Sequence, residues 1–235
     1  MSHTVHPYSH RVGIIRDWKS RWFACGKDYA DALRGDVLLR EYLVKRLRGM
    51  YVSGIHIERN KNEMRVVIHT SRPGIIIGRS GEHMTKLRAE VDKEMRRLRI
   101  KKPESLKIDV EEVRVPEADA AIVAAMVAEG LERRFPFRRV MKQTMEKVMA
   151  NREVKGARIV LSGRLGGAEM SRKEELKKGG IPLQTFRADI DFARERAHLP
   201  YGDLGIKVWI YRGEVFADEA KTNAKKGIKD SSKNK

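Results

Sequence analysis

The chain has 235 residues, 41% of them hydrophobic, which is enough for two folded domains or one large one. Its 50 Lys and Arg against 32 Asp and Glu leave a formal charge of +18, far beyond what solubility requires, and the complement to such a field is a polyanion. No run of 18 apolar residues occurs and the N-terminus lacks the basic-then-apolar layout of a signal peptide, so a cytoplasmic protein without a membrane partner is expected. The single cysteine, Cys25, excludes an internal disulfide and a cysteine-cluster zinc site, and its expected role is that of a small buried hydrophobe. His3, His6 and His10 flank Pro7 with no carboxylate nearby, so no metal site is expected there.

Residues 1–25 show little periodicity but interleave Arg11, Arg16, Lys19 and Arg21 with Trp18, Trp22 and Phe23. Such a segment suits an arm on folded RNA, with rings on bases and cations on phosphates. Alternatively, the tryptophans pin the arm to the protein's own core. From Asp28 to Arg48, Leu39, Tyr42, Leu43 and Leu47 recur at helical steps, with Asp36 as a candidate N-cap and Gly49 as the stop. Residues 51–59 alternate around Ile55 and Ile57, Asn60 to Asn62 read as a polar turn, and Met64 to Thr70 is a second strand, so the three together predict a hairpin.

Pro73 opens a short helix through Ile75, Ile76 and Ile77 that ends at Gly78-Arg79-Ser80-Gly81. A G-x-x-G turn between two helices lets backbone N–H groups approach a sugar-phosphate chain, which is the geometry of a KH loop. Met84, Leu87, Val91, Met95 and Leu98 then keep to one helix face, and Ser105 to Val113 alternates as a third strand with Leu106, Ile108 and Val110 inward. The resulting order, α-β-β-α-loop-α-β over residues 26–115, is that of a type II KH domain.

Pro116 marks the expected boundary to a second α/β domain over 116–216. Ile122, Val123, Met126, Val127 and Leu131 define one helix. A second, with Pro136 in its first turn, has Phe137, Val140, Met141, Val148 and Met149 as its core face. Arg133, Arg134, Arg138, Arg139 and Lys142 crowd a ten-residue span with Glu132 as its one acidic neighbour, a pattern that favours phosphate binding over a merely solvated face. Ala157 to Leu161, Thr185 to Phe192 and Leu204 to Tyr211 read as strands, giving two helices packed on a mixed or antiparallel sheet of three or four strands. Between them S-G-R-L-G-G-A-E, residues 162–169, fits a tight turn against RNA, since neither a Walker A string nor G-x-G-x-x-G occurs. Beyond Phe216, lysines 221, 225, 226, 229, 233 and 235 stand among Asn, Ser and Gly, so 217–235 is expected to be a disordered basic tail.

V-H-P at 5–7, R-P-G-I-I-I-G-x-x-G at 72–81, L-E-R-R at 131–134, F-R-R-x-M-K at 137–142, S-G-R-L-G-G-A-E at 162–169, P-L-x-T-x-R-A-D-I-D at 182–191 and G-x-K-V-W-I at 205–210 occur in order. Together they resemble the bacterial-type small ribosomal subunit protein number three along nearly the whole chain. The resemblance implies a two-domain constituent of the head of the 30S subunit, one copy per subunit. It would be bound to 16S-type ribosomal RNA and line the channel where messenger RNA enters. Implied neighbours are small-subunit proteins ten and fourteen in the head and four and five where messenger enters. It further implies that Arg138, Arg139 and Lys142 face messenger and support its unwinding, and it makes Arg11, Arg16, Trp22, Arg164 and Arg172 candidates for ribosomal RNA contacts. Four positions depart from the family pattern: Ser9 stands for a glycine, Arg79 and Ser80 stand for two lysines, and Pro136 is not typical.

Two other functions compete. A free-standing KH regulator of RNA maturation would bind short single strands by itself. An enzyme would need a catalytic set, yet no carboxylate cluster with metal-ligand spacing and no Ser/His/Asp or Cys/His arrangement is present; Asp189 and Asp191 lie within an alternating strand, where salt bridging is expected. Neither an enzyme nor a cofactor is therefore expected.

Overall fold

The computed structural model describes residues 5–60, 63–98 and 105–216; the lysine-rich segment and part of the turn after Asn60 lie outside the described residues. The described chain divides into two compact units, Trp18–Glu129 and a second that joins the residues up to Asp17 to those from Gly130 onward. The division thus falls inside a helix and not at Pro116, and the start of the chain belongs with the C-terminal unit instead of forming a separate arm.

In the unit Trp18–Glu129 a four-stranded mixed sheet runs in the order β1 (Ser20–Arg21), β2 (Val52–Arg59), β3 (Glu63–Thr70) and β4 (Ser105–Glu112). β2 and β3 are the expected antiparallel hairpin, while β4 runs parallel to β3, which requires the crossover supplied by α2 (Pro73–Ile77) and α3 (Glu82–Arg97). The short β1, parallel to β2, has too few residues to show a period. Leu39 and Leu43 of α1 (Gly26–Arg46) and its C-cap Leu47 close one core with Ile55, Ile57, Val66, Ile68, Leu87, Val91 and Met95. Each contributes at helix or strand periodicity, and each buried side chain of this size contributes about 1.5–3 kcal/mol.

Asp36 corrects an expectation. It lies mid-helix and is not an N-cap: the helix begins at Gly26, and Asp36 is 1% exposed and accepts from the Ser20 hydroxyl, Trp22 Nε1 and Arg59 Nε at 2.9, 2.7 and 2.6 Å. A buried carboxylate is retained only with such partners. Cys25 is likewise exposed and not buried, because it is the last extended residue before α1. Gly49, at φ +82°, ends the following turn as expected.

α4 (Ala120–Glu132) starts at Asp119, whose carboxylate caps the N–H groups of Ala121 and Ile122. From Gly130 the second unit contains α5 (Phe137–Ala150), β5 (Gly156–Gly163), β6 (Arg172–Gly179), β7 (Ala188–Leu199) and β8 (Gly202–Glu214). The strands form an antiparallel sheet in the order β6-β5-β8-β7, and α5 lies against β5 and β6. Ile159, Leu161, Ile206, Val208 and Ile210 are buried, and so are the alternate residues Val160 and Trp209, which pack with Phe192, Ile181 and Leu183. Burial on both faces explains why β5 and β8 read as strongly apolar.

The segment before Asp17 belongs to the second of these cores. His6 meets Phe192 edge-on at 4.7 Å, the Tyr8 hydroxyl donates to the Asp17 carbonyl, and Arg11 is 1% exposed. Arg16 pairs with Asp189 at 2.7 Å, and Arg212 joins Asp191 at 3.3 Å, so the paired aspartates do serve as salt-bridge partners. Burial opposes the Arg16 charge, but Asp191 and Asp189 more than offset this and hold its pKa above the usual guanidinium value.

Candidate nucleic-acid interface

Two surfaces, one on each unit, present the features that nucleic acid requires. On the first, the expected glycine loop lies where α2 gives way to α3. Pro73 at the start of α2 fixes the helical φ without losing a hydrogen bond, and Gly78 and Gly81 take φ of +75° and +78°. Between them Ser80 also takes a positive φ, +52°, and Arg79 and Ser80 are both exposed. Three of the four loop residues thus take a positive φ, with Arg79 supplying the cation. Ile75 and Ile77, 44% and 39% exposed, place apolar surface beside it.

Gly78 is required twice over. Its φ of +75° with ψ of −179° belongs to a region essentially closed to other residues, and a Cβ there would stand 2.7 Å from Cγ of His83, whose ring reaches the Ile75 carbonyl at 3.2 Å. Gly78→Ala is expected to lower the stability of this unit by about 2–3 kcal/mol, read as a reduced urea midpoint in the fluorescence of Trp18 and Trp22. Gly81→Ala meets no atom within 4 Å and should cost less.

On the second unit the basic run is distributed by the helix it starts. Pro136 is the N-cap and not a residue of the first turn, and its carbonyl accepts from Arg139 and Val140. Val140, Met141, Thr144, Met145 and Val148 are buried; Thr144 and Met145 were absent from the expected face, and the Thr144 hydroxyl donates to the Val140 carbonyl at 2.8 Å. With that face inward, Arg138, Arg139 and Lys142 are all exposed. Arg139 and Lys142 make no ion pair among the described residues. Two arginines in the first turn oppose the helix dipole, a cost of about 0.3–1 kcal/mol each, and add to its positive end. Arg133 and Arg134 lie in the turn just before, Arg134 at φ +62°, beside the exposed Phe135.

Arg138 differs from its neighbours. It pairs with Glu174 of β6 at 3.3 Å, a strand absent from the sequence reading because R-K-E-E-L-K-K-G carries one apolar residue in eight. Such charge is common on an edge strand and discourages further pairing. The only signal available in the sequence was the half-burial of alternate positions, Glu174 and Leu176, which needs the fold to be seen.

The five residues expected to touch ribosomal RNA divide. Arg11 is withdrawn as a contact: it is 1% exposed, Nε donates to Ala188 O at 2.5 Å and the two terminal nitrogens to the carbonyls of Pro7, Thr185 and Leu183 at 2.8, 3.0 and 3.2 Å. Arg16 is committed to Asp189, and Trp22 to Asp36 and the ring of Tyr29 at 5.3 Å, so these too serve the fold. Arg164 stays exposed while bracing its own loop through Ala168 O at 2.9 Å and Tyr201 O at 3.3 Å. Gly166 and Gly167 give that loop its tight turn at φ +71° and +82°. Arg172 is exposed at the start of β6 and meets the same Glu174 as Arg138.

Comparison with known proteins places both surfaces in recognised domains. Residues 38–118 match the model of the KH domain, and residues 127–210 match that of the ribosomal protein S3 C-terminal domain. The chain is 42% identical to small ribosomal subunit protein uS3 of Caldicellulosiruptor bescii over 97% of its length and all of the relative's. It is 47% identical to uS3 of Coxiella burnetii over 92% of both chains, and 46% identical to uS3 of Ectopseudomonas mendocina over 92% of this chain and 91% of the relative.

Proposed function

The chain belongs to the small ribosomal subunit protein uS3 family, and from that premise we propose that its α5 face grips incoming messenger RNA and assists its unwinding. The protein is a non-enzymatic, RNA-binding constituent of the small ribosomal subunit, located with the 30S particle in the cytoplasm. Within the subunit we assign it, as one copy in the head, to 16S-type ribosomal RNA and to the channel through which messenger enters. Proteins ten and fourteen would be its neighbours in the head, and four and five at the channel.

The observation that carries the messenger-facing role is the exposure of Arg139 and Lys142 on one side of α5, where neither makes an ion pair among the described residues. Such a cation releases a counterion for each phosphate it meets and need not first be freed from a carboxylate. Cations spaced along a helix hold separated strands by their backbones without reading sequence, so opening needs no chemical step. The glycine loop of the KH domain, with Arg79, Ser80 and the flanking isoleucines, is assigned to ribosomal RNA.

Replacing Lys142 with a photoreactive phenylalanine derivative tests this directly. In translating small subunits, irradiation is expected to join position 142 to messenger downstream of the decoding site. Crosslinks to ribosomal RNA alone would reject the assignment.

A further inference from the structure

The unexpected meeting of α5 and β6 adds a residue to this surface. Nitrogens of Arg138 and of Arg172 each lie 3.3 Å from the same oxygen, Oε1 of Glu174. The two guanidinium carbons are each 5.6 Å from the centre of the Phe137 ring. Phe137 itself is half-buried and approaches Gly166, where an added Cβ would be 3.9 Å from its Cε1. Two like charges are thus brought together by a shared carboxylate and a shared aromatic ring, both seated in the fold, while their outer sides face solvent: the arginine side chains are 71% and 49% exposed and that of Glu174 is 26%.

We infer that Arg138 and Arg172 form one two-arginine clamp for a backbone phosphate of single-stranded messenger RNA, held open by Glu174 and Phe137. The inference rests on the messenger-facing reading of α5 and extends it to β6. Exposed ion pairs of this kind contribute about 0–1 kcal/mol, so Glu174 orients the arginines yet yields them readily to a phosphate, which offers more charge and more acceptor oxygens. The ring holds the guanidinium planes by cation–π contact, so less side-chain freedom is lost on binding. Arg172 is therefore reassigned from ribosomal RNA to the messenger-binding surface.

Small subunits carrying full-length variants, translating matched messengers with and without a stable hairpin, separate the outcomes. Arg172→Ala is expected to slow the hairpin step about twofold, as Arg138→Ala does, and to leave the unstructured messenger unaffected. The double variant should slow it by less than the product of the two, because both arginines act on one phosphate. Arg172→Lys keeps the charge but loses the planar fork, and should fall between wild type and Arg172→Ala.

Wild-type speed for Arg172→Ala beside a slowed Arg138→Ala would overturn the clamp and leave the role of α5 standing. Wild-type speed for Arg172→Lys would also overturn it. If removal of Arg138, Arg139 and Lys142 together had no effect, the function itself would be wrong. Sedimentation of each variant with the small subunit verifies incorporation.

Discussion

Replacing Arg138, Arg139 and Lys142 together with alanine is expected to slow translation through a stable messenger hairpin by about tenfold, while small subunits still assemble. Each exposed cation that meets a phosphate contributes a modest amount, about 0.5–1 kcal/mol. Three together come to about 1.5–3 kcal/mol, and a factor of ten corresponds to about 1.4 kcal/mol. The Arg138 share is the smallest of the three in net terms, because a phosphate must displace Glu174 from it. For single strands the logarithm of affinity falls by about 0.7 per phosphate for each decade of salt, so the variant's salt slope should be shallower by about two. Folding should be nearly untouched, within about 0.5 kcal/mol, since none of the three side chains is buried. An unchanged rate on the hairpin template, with normal incorporation, would remove the unwinding role.

A second large effect concerns stability, and it comes from a residue that composition alone would assign to RNA. Arg11→Ala is expected to destabilise the C-terminal unit by about 3–5 kcal/mol, a large part of the stability of an ordinary domain. The guanidinium is 1% exposed and donates to carbonyls of Pro7, Leu183, Thr185 and Ala188. Removing it would leave the buried carbonyls of Pro7 and Ala188 without their donor, and leave a cavity as well. Burial lowers the Arg11 pKa below its ordinary value, the Asp189 charge acts against this, and the group remains a cation throughout the accessible pH range. Its contribution should therefore not vary with pH near neutrality. Arg11→Lys should rescue little, because an ammonium has three donors at one point and the four carbonyls are spread around a planar fork. Urea unfolding followed by Trp209 fluorescence measures both variants, and a loss below about 1 kcal/mol for Arg11→Ala would show that the contacts are not what anchors the segment.

The contrast between these two arginine sites shows how much was legible in the chain. Arg139 and Arg11 are the same residue type in a basic neighbourhood. Arg139 could be placed from sequence because Val140, Met141 and Val148 define an inward face at helical spacing and leave position 139 outside it. Arg11 could not, since its partner Ala188 lies 177 residues away. Asp36 failed for a related reason: next to Gly35 it resembles a cap, and only the approach of Trp22 and Arg59 reveals a buried acceptor within a helix that began ten residues earlier.

What the sequence determined by itself was whatever depends on neighbours in the chain: the order of strands and helices in the KH domain, the glycine loop between α2 and α3, the basic face of α5, and the motifs that mark the family. Helical and strand periods and the φ demands of glycine and proline act over a few residues, so a string of residues carries them completely. Tertiary structure alone decided which charges are spent and which remain for RNA. It buried Arg11, joined the segment around His6, Arg11 and Arg16 to the last sheet, formed β6 from a charged segment, and set Glu174 between Arg138 and Arg172. The physical reason is that a charge is neutralised by whatever the fold brings within about 4 Å, and that partner bears no relation to distance along the chain.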